Sequence, residues 1–432
     1  METKKDKKAE SFYEIMNVTQ YNQPVTTDSA FFVDFSGFRK DFSENKIYKQ
    51  LGIQPNTGNC NKLHSTIRIF ISGHRGTGKT SELLKLTKQI NETKCFLTIF
   101  ADLSDGSLDT SNLDFVDIAL FMLEKLLQEL EEKKIKISKK IIEPMYNFYS
   151  TRIKEIENKE NVSIGAEIKT SSKVGLFDFF TLASSIRAKT SNASQTRELI
   201  RQEFKNTFVQ FAQKFDEFSI QVKEELQKQG IENILFILDG FEKIFTKENR
   251  RKILIDDSNK FIELKSNLIL TPPIELYYDI AKDANFPTPF FFPLIVLEEK
   301  SKELFTEFIY KRVDKKLFSS SEVVDKIIHL GGGSPRETLR IIQDSYINSE
   351  TELIDKESVA TTKRLLSAQI VNSLTEEEIA ILKQIERENS CPFNEAFSNV
   401  LEKRAILDYG NGVGIQINPL ILDNEKLIHF LK

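Results

Sequence analysis

Ile71-Ser72-Gly73-His74-Arg75-Gly76-Thr77-Gly78-Lys79-Thr80-Ser81 decides the fold. Gly73 to Thr80 has the form GxxxxGK[ST], the pattern of a phosphate-binding P-loop, which requires a strand before it and a helix after it. Both are present. Thr66 to Ile71 (TIRIFI) is a short β-branched run that reads as a buried strand, and Lys79 to Ile90 places Leu83, Leu84, Leu86 and Ile90 at helical spacing. Glycines let backbone N–H groups turn inward around phosphate oxygens, and the start of the helix adds the positive end of its dipole. Gly73, Gly76, Thr77, Gly78, Lys79, Thr80 and Ser81 are therefore the candidate phosphate contacts. Lys79 is expected to reach the β- and γ-phosphates, and the Thr80 hydroxyl to ligate Mg²⁺. His74 and Arg75 fill free positions of the loop and read as solvent-facing.

Such a loop needs an acid at the end of a neighbouring strand to hold Mg²⁺ and its water. Ile234 to Leu238 (ILFIL) is a buried strand, and Asp239 follows it. Cys95 to Leu103, Asn267 to Leu270 and Phe290 to Leu297 read as further strands, with helical stretches between them. Short parallel-type strands alternating with helices predict an α/β domain whose sheet is covered on both faces. The base is read as adenine by elimination. The Asn-Lys-x-Asp string that marks guanine readers has no match, since the nearest candidate, Asn259-Lys260-Phe261-Ile262, lacks the Asp.

The chain divides on this reading into a leader and linker over 1–62, a P-loop core over 63–297, a helical lid over 298–370 and a winged-helix domain over 371–432. Lys79 and Asp239 are 160 residues apart, which leaves room for a large helical insert at about 110–230. Within it Ser194 to Gln229 reads as one long helix, with Phe204, Phe208, Phe211, Phe215 and Phe218 packing along it, and Val162 to Val174 as a small hairpin. Gly331 to Gly333 break the lid. Ile406 to Asn418, with Gly-Asn-Gly inside it, carries a hairpin signal.

Composition bounds the function. The 432 residues suggest two or three domains at roughly 150 residues each. With 40% hydrophobic and 29% charged residues, the chain can bury real cores. A balance of 60 Lys and Arg against 64 Asp and Glu argues against a surface built wholly for nucleic acid. Residues 371–432 hold six Lys and Arg against ten Asp and Glu, so the winged helix is acidic where a DNA reader is basic. Cys60, Cys95 and Cys391 form no CxxC pair and read as reduced thiols of a cytoplasmic protein. No signal peptide or bilayer-spanning run is legible, and no membrane association is expected.

Taken together these motifs resemble the AAA+ and STAND-like branch of P-loop ATPases, near the origin-recognition type and like those of bacterial conflict and antiviral defence systems. Ile71–Leu86 (ISGHRGTGKTSELLKL) is similar to its Walker A segment, and Ile234–Ile244 (ILFILDGFEKI) to Walker B with Asp239 as the Mg²⁺ acid. Asn267–Leu276 (NLILTPPIEL) is similar to the sensor 1 strand with Thr271 at its end, and Gly331–Arg340 (GGGSPRETLR) to the sensor 2 helix, with Arg336 implied to point at the γ-phosphate. The resemblance thus implies an α/β P-loop NTPase with a parallel sheet and a large helical insert, an all-helical lid and a C-terminal winged helix, using ATP and Mg²⁺.

Two departures bear on activity. The position after Asp239, where AAA+ enzymes carry the Glu that activates water, is Gly240, and the next acid is Glu242. Glu242 is the candidate base, acting either on water or structurally. The segment Pro272 to Pro289 contains no Arg, only Lys282, so the ordinary arginine finger is missing; Arg187, Arg197 and Arg201 in the insert are the candidates to act in trans in a homo-oligomer. Three functions follow as alternatives: a slow switch ATPase that controls a separate effector protein, a DNA-dependent ATPase using the winged helix on DNA, and a protein that keeps ATP as a structural ligand.

Overall fold

The computed structural model describes residues 6–39, 41–165, 168, 174–191, 195–282, 289–388, 391, 393–410 and 413–431. In chain order its strands and longer helices are β1 (Arg68–Ser72), α1 (Lys79–Thr93), β2 (Phe96–Asp102), α2 (Phe115–Glu132), α3 (Lys139–Glu160), α4 (Leu176–Ser191), α5 (Gln195–Asn206), α6 (Phe208–Gln227), β3 (Asn233–Asp239), β4 (Asn267–Leu270) and β5 (Phe290–Phe291). They continue with α7 (Glu299–Tyr310), α8 (Ser321–Gly331), α9 (Pro335–Ile347), α10 (Lys356–Val371), α11 (Glu376–Glu388), α12 (Glu395–Glu402), β6 (Ile406–Asp408), β7 (Ile415–Ile417) and α13 (Glu425–Leu431). This is the α/β class expected, with a parallel sheet, a large helical insert and a small C-terminal unit of helices and an antiparallel strand pair.

The chain forms two compact bodies. The first takes in Met1–Glu44, Ile71–Lys85 and Pro273–Lys432; the second takes in Asn45–Phe70 and Leu86–Pro272. In the second body the strands run β2-β3-β4-β1, all parallel. Every residue of β3 is buried, as a strand covered on both faces requires. The helical insert has its own core: Phe204, Phe208, Phe211, Phe215 and Phe218 are all buried, with Tyr149 packed edge-on or tilted against Phe179, Phe204 and Phe211. The predicted single helix is two, α5 and α6. Thr207 leaves helical geometry (ψ 18°) and its hydroxyl bonds back to the Glu203 carbonyl at 2.8 Å, a local alternative that β-branched Thr offers the backbone.

Cys60 and Cys95 are joined in a disulfide, their Cα atoms 5.4 Å apart, which corrects the expectation of free thiols. The segment Ile53 to Cys60 folds back on itself and lays Cys60 beside the residue that leads into β2, a proximity that the 35-residue separation does not reveal. Cys391 is free.

In the first body, Ile71 and Ser72 at the end of β1 pair in parallel with β5. The expected fifth strand is cut to two residues. Phe292 still donates to the Ser72 carbonyl at 2.6 Å, but Pro293 has no N–H, and beyond it Leu294 and Ile295 donate to Asp408 and Gly333 instead. Lid, winged helix and N-terminal residues share one core, in which Ala9, Ile15 and Phe35 sit with Phe305, Ile341, Leu382, Phe397 and Ile406. Ala9 pairs with Val313, which ties this part of the N-terminal segment to the residues after α7. The glycine break falls as read: α8 ends on Gly332 in the left-handed region, and Ser334 caps α9 by accepting from the Glu337 N–H, with Pro335 at its first position. The C-terminal hairpin pairs Ile406 with Ile417 and Asp408 with Ile415, its tip at 411–412 lying outside the described residues. The hairpin expected over Val162–Val174 and part of the segment searched for an arginine finger (283–288) also lie largely outside them. No helix among the described residues is long and apolar enough to cross a membrane.

Candidate functional site

The first body carries the glycine-rich loop. Gly76 and Gly78 adopt φ of 86° and 95°, the left-handed region that glycine enters without strain. Gly73 also has no room for a side chain, since a Cβ there would lie 2.1 Å from the Phe292 carbonyl oxygen. Lys79 opens α1 and is buried; its Nζ donates to the carbonyls of Gly73 (2.7 Å) and His74 (2.9 Å). The Thr77 hydroxyl donates to the same His74 carbonyl at 3.0 Å. Thr80 follows in the first turn of α1. Ser81 accepts at its Oγ from the Val25 N–H at 2.9 Å, so the N-terminal segment lies against the loop.

Lid and winged helix reach the same loop. The Gly76 carbonyl accepts from the Ser334 hydroxyl (3.0 Å) and from the Arg336 N–H (3.3 Å). The stem of Arg336 covers Gly76, where a Cβ would stand 2.7 Å from that of Arg336. Its guanidinium donates to Asn22 and lies 5.6 Å from the centre of the Tyr21 ring, so the sensor 2 candidate is placed at the loop with its cation on the N-terminal segment. His74, read as solvent-facing, is buried. Its Nε2 accepts from the Asp408 N–H of β6 at 2.9 Å. Burial, with Arg404 and Lys79 nearby, holds its pKa well below the ordinary value and keeps the ring neutral. Arg75 is exposed, as expected.

The helix after the loop ends this part of the site in a charge cluster. Lys85 bonds Asp34 (3.0 Å), Glu44 (2.7 Å) and Glu82 (3.4 Å). Burial and then the hydrogen bond with Glu44 push Glu82 up to about 7, against the opposing charge of Lys85. An acid whose folded pKa is raised stabilises the fold below its unfolded pKa and loses that contribution as pH climbs through the folded one. Glu82→Gln, which keeps a neutral donor for Glu44, is therefore expected to match the wild type near pH 5 and to be about 1 kcal/mol more stable at pH 8. Thermal melts between pH 5 and pH 8 check this; equal slopes for the two proteins would refute it.

The second body carries the acids. Asp239 ends β3 almost fully buried, and its Oδ1 accepts from the Thr271 hydroxyl at 2.7 Å. The Thr271 Oγ1 accepts in turn from the Gly240 N–H at 3.2 Å. Thr271 thus fixes both the Walker B candidate and the residue after it. The structure explains Gly240: its φ is 95°, and a Cβ would stand 2.9 Å from Asp102 Oδ1. Glu242 lies in the following turn with a buried Oε2 that has no hydrogen-bond partner. Asp102, which the sequence reading passed over, ends β2 in register with Asp239 and accepts from the N–H and hydroxyl of Ser104. An acid closing a second buried strand was its visible signal.

Arg187, Arg197 and Arg201 are spoken for inside the same body. Arg187 grips Glu124 through Nε (2.6 Å) and Nη2 (3.0 Å), Arg197 bonds Asp109 (2.8 Å), and Arg201 bonds Asp117. Arg197 and Arg201 are buried in this body. Among the described residues no group of three or more His, Cys, Asp or Glu is placed to hold a metal ion.

No family model matches the chain. No curated protein matches it either. Solved structures similar to it include the Walker-type ATPase PABY2304 of Pyrococcus abyssi, at 13% identity over 93% of this chain and 99% of that one, with a TM-score of 0.39. Cdc6p from Pyrobaculum aerophilum is similar at 12% identity, 95% and 99% coverage and a TM-score of 0.38. The Aeropyrum pernix Orc1 protein in complex with DNA is similar at 10% identity, 94% coverage of each chain and a TM-score of 0.37. At these scores the likeness assigns no residue and no activity to this chain.

Proposed function

We propose that the chain is a Mg²⁺-dependent ATPase of the AAA+ and STAND-like kind, slow by itself, whose nucleotide state is passed through lid and winged helix to a separate partner protein. The observation that carries this reading is the set of bonds on the loop. The Gly76 carbonyl is held by the lid at Ser334 and Arg336, and His74 is held by the winged helix at Asp408. A phosphate that moves the loop changes bonds in both modules, which is the coupling a switch needs.

The residues present fit the group. Left-handed glycines at Gly76 and Gly78 and a helix opening on Lys79 and Thr80 form the kind of cradle that backbone N–H groups offer to phosphate. In this reading Gly73, Gly76, Thr77, Gly78, Lys79, Thr80 and Ser81 hold the phosphates, Thr80 and Asp239 are the Mg²⁺ ligands, and Arg336 senses the γ-phosphate. The metal, when bound, neutralises charge on the phosphates. Glu242 takes the proton of the attacking water, its unpartnered Oε2 being free to accept it. Gly240 gives the reason for slowness, because the backbone there excludes a side chain where related enzymes place their base.

Steady-state hydrolysis of MgATP by the purified chain tests this. Turnover below about one per second is expected, with Glu242→Gln lowering it at least 100-fold, the usual weight of a general base, while ATP still binds. Turnover of many per second without a partner would sink the switch reading, and an unchanged Glu242→Gln rate would remove Glu242 from catalysis.

A second reading is a DNA-dependent ATPase of the origin-recognition or transposon-targeting type. The observed winged-helix elements α11, α12, β6 and β7 favour it; the excess of acids over 371–432 does not. Stimulation of ATPase by duplex DNA that falls steeply with salt would establish it.

A further inference from the structure

We infer that Arg39, far outside the glycine-rich motif, is a positioning residue of the phosphate loop whose buried cation is matched by the nucleotide's phosphate charge. The inference rests on the nucleotide reading above. Arg39 is only 4% exposed. Its Nη1 donates to the Pro293 carbonyl at 2.6 Å, and its Nη2 donates to the carbonyl of Thr77 inside the loop. The guanidinium lies 4.1 Å from the centre of the Phe292 ring, and that ring is in turn packed edge-on by Phe42 at 4.7 Å. A Cβ on Gly78 would sit 3.5 Å from Nη2, so the cation stands directly against the loop backbone.

The partners are unusual for a buried arginine. Both hydrogen bonds go to neutral carbonyls, and Nε has no partner. No carboxylate among the described residues forms an ion pair with it; Glu82 and Asp34 act only through space. A buried charge without an anion is costly, and carbonyls and a ring face offset only part of that cost. Burial accordingly pulls its pKa down to about 10. The missing anion has an obvious candidate in the polyphosphate that the loop is shaped to receive. Arginine suits this place because its charge persists at any physiological pH and its planar fork can hold two carbonyls at once. By fixing the Thr77 carbonyl, Arg39 turns that peptide so that the loop N–H groups face the phosphates. By its charge it adds a field that favours triphosphate over diphosphate.

The test compares binding of MgATP and MgADP to the wild type, Lys79→Ala, Arg39→Met and Arg39→Lys by titration calorimetry, with melts of the nucleotide-free proteins. Arg39→Met is expected to weaken ATP binding about 30-fold, equivalent to about 2 kcal/mol, and ADP binding less. Arg39→Lys, which keeps the charge but not the fork, is expected to fall between the two, about fivefold weaker than wild type for ATP. Because Arg39 has no anionic partner, the nucleotide-free Met variant is expected to melt no lower than the wild type. A purely structural arginine gives the opposite result, a Met variant that is destabilised or unfolded without nucleotide, and that result overturns the inference. So does a Met variant that binds ATP as well as the wild type while Lys79→Ala does not, which leaves the nucleotide reading standing. If the wild type binds neither nucleotide, the nucleotide reading itself falls, and this inference with it.

Discussion

Replacing Lys79 with alanine is expected to abolish measurable ATP binding, a loss of at least 100-fold, while leaving the fold intact. The ammonium group is buried at the start of α1 and donates to two loop carbonyls, Gly73 and His74, at 2.7 Å and 2.9 Å. Those two bonds keep the cation over the loop, where a phosphate would meet it. Charge-assisted bonds to phosphate are about twice as strong as neutral ones, and several form at once on a polyphosphate. Removing the only lysine of the loop therefore costs the complex about 3 kcal/mol or more, by the usual conversion of a 100-fold change. The free protein loses less. Two carbonyls give up one shared donor, and carbonyls with a second lone pair tolerate that better than N–H groups do. The expected observation is a thermal melt close to wild type without nucleotide, together with disappearance of the upward shift that MgATP gives the wild type. An ATP-induced shift that survives in Lys79→Ala would show that the loop is not the nucleotide site.

The loop was legible in the sequence because its chemistry is local. Glycine where φ is positive, and lysine and threonine where a helix opens, are constraints on neighbours, and Gly76, Gly78, Lys79 and Thr80 obey them. Asp239 and Thr271 were legible for a related reason: each ends a short buried strand, and pairing β3 with β4 brings those ends together. What escaped the sequence is what long-range packing decides. Arg39 lies 40 residues before Lys79 in no motif, and only the folding of its segment onto the loop gives it a role. His74 occupies a position of the pattern open to any residue. Its burial depends on β6, more than 300 residues downstream. The Cys60–Cys95 bond depends on how the segment before β1 folds back. Gly240 looked like a missing catalytic residue, and its cause, the crowding of Asp102 and a left-handed backbone, is tertiary too.

Arg201→Met is expected to destabilise the helical insert by about 3–5 kcal/mol, the usual cost of breaking one side of a buried ion pair. Asp117 is 2% exposed and Arg201 is 4% exposed. Arg201 meets both carboxylate oxygens of Asp117, through Nε at 3.3 Å and through Nη2, and its Nη1 reaches the Asn112 side chain at 3.2 Å. Asp117 has a second task. It is the third residue of α2 and accepts from the Asp114 N–H at 2.9 Å, closing the capping box that starts the helix. Burial already pushes its pKa up, with Arg201 the main restraint in the other direction. Without Arg201 the carboxylate either stays charged in an apolar place or takes up a proton, and both outcomes oppose folding near neutral pH. Adding Asp117→Asn removes the orphaned charge but keeps an acceptor for the cap, so the double variant is expected to regain at least half of the loss. Urea unfolding followed at the insert checks both steps. A trans-acting arginine finger behaves otherwise: Arg201→Met would then unfold like the wild type and fail only in hydrolysis by the assembled protein. That outcome would mean that the ion pair is dispensable and that the insert presents its arginine to a second copy of the chain.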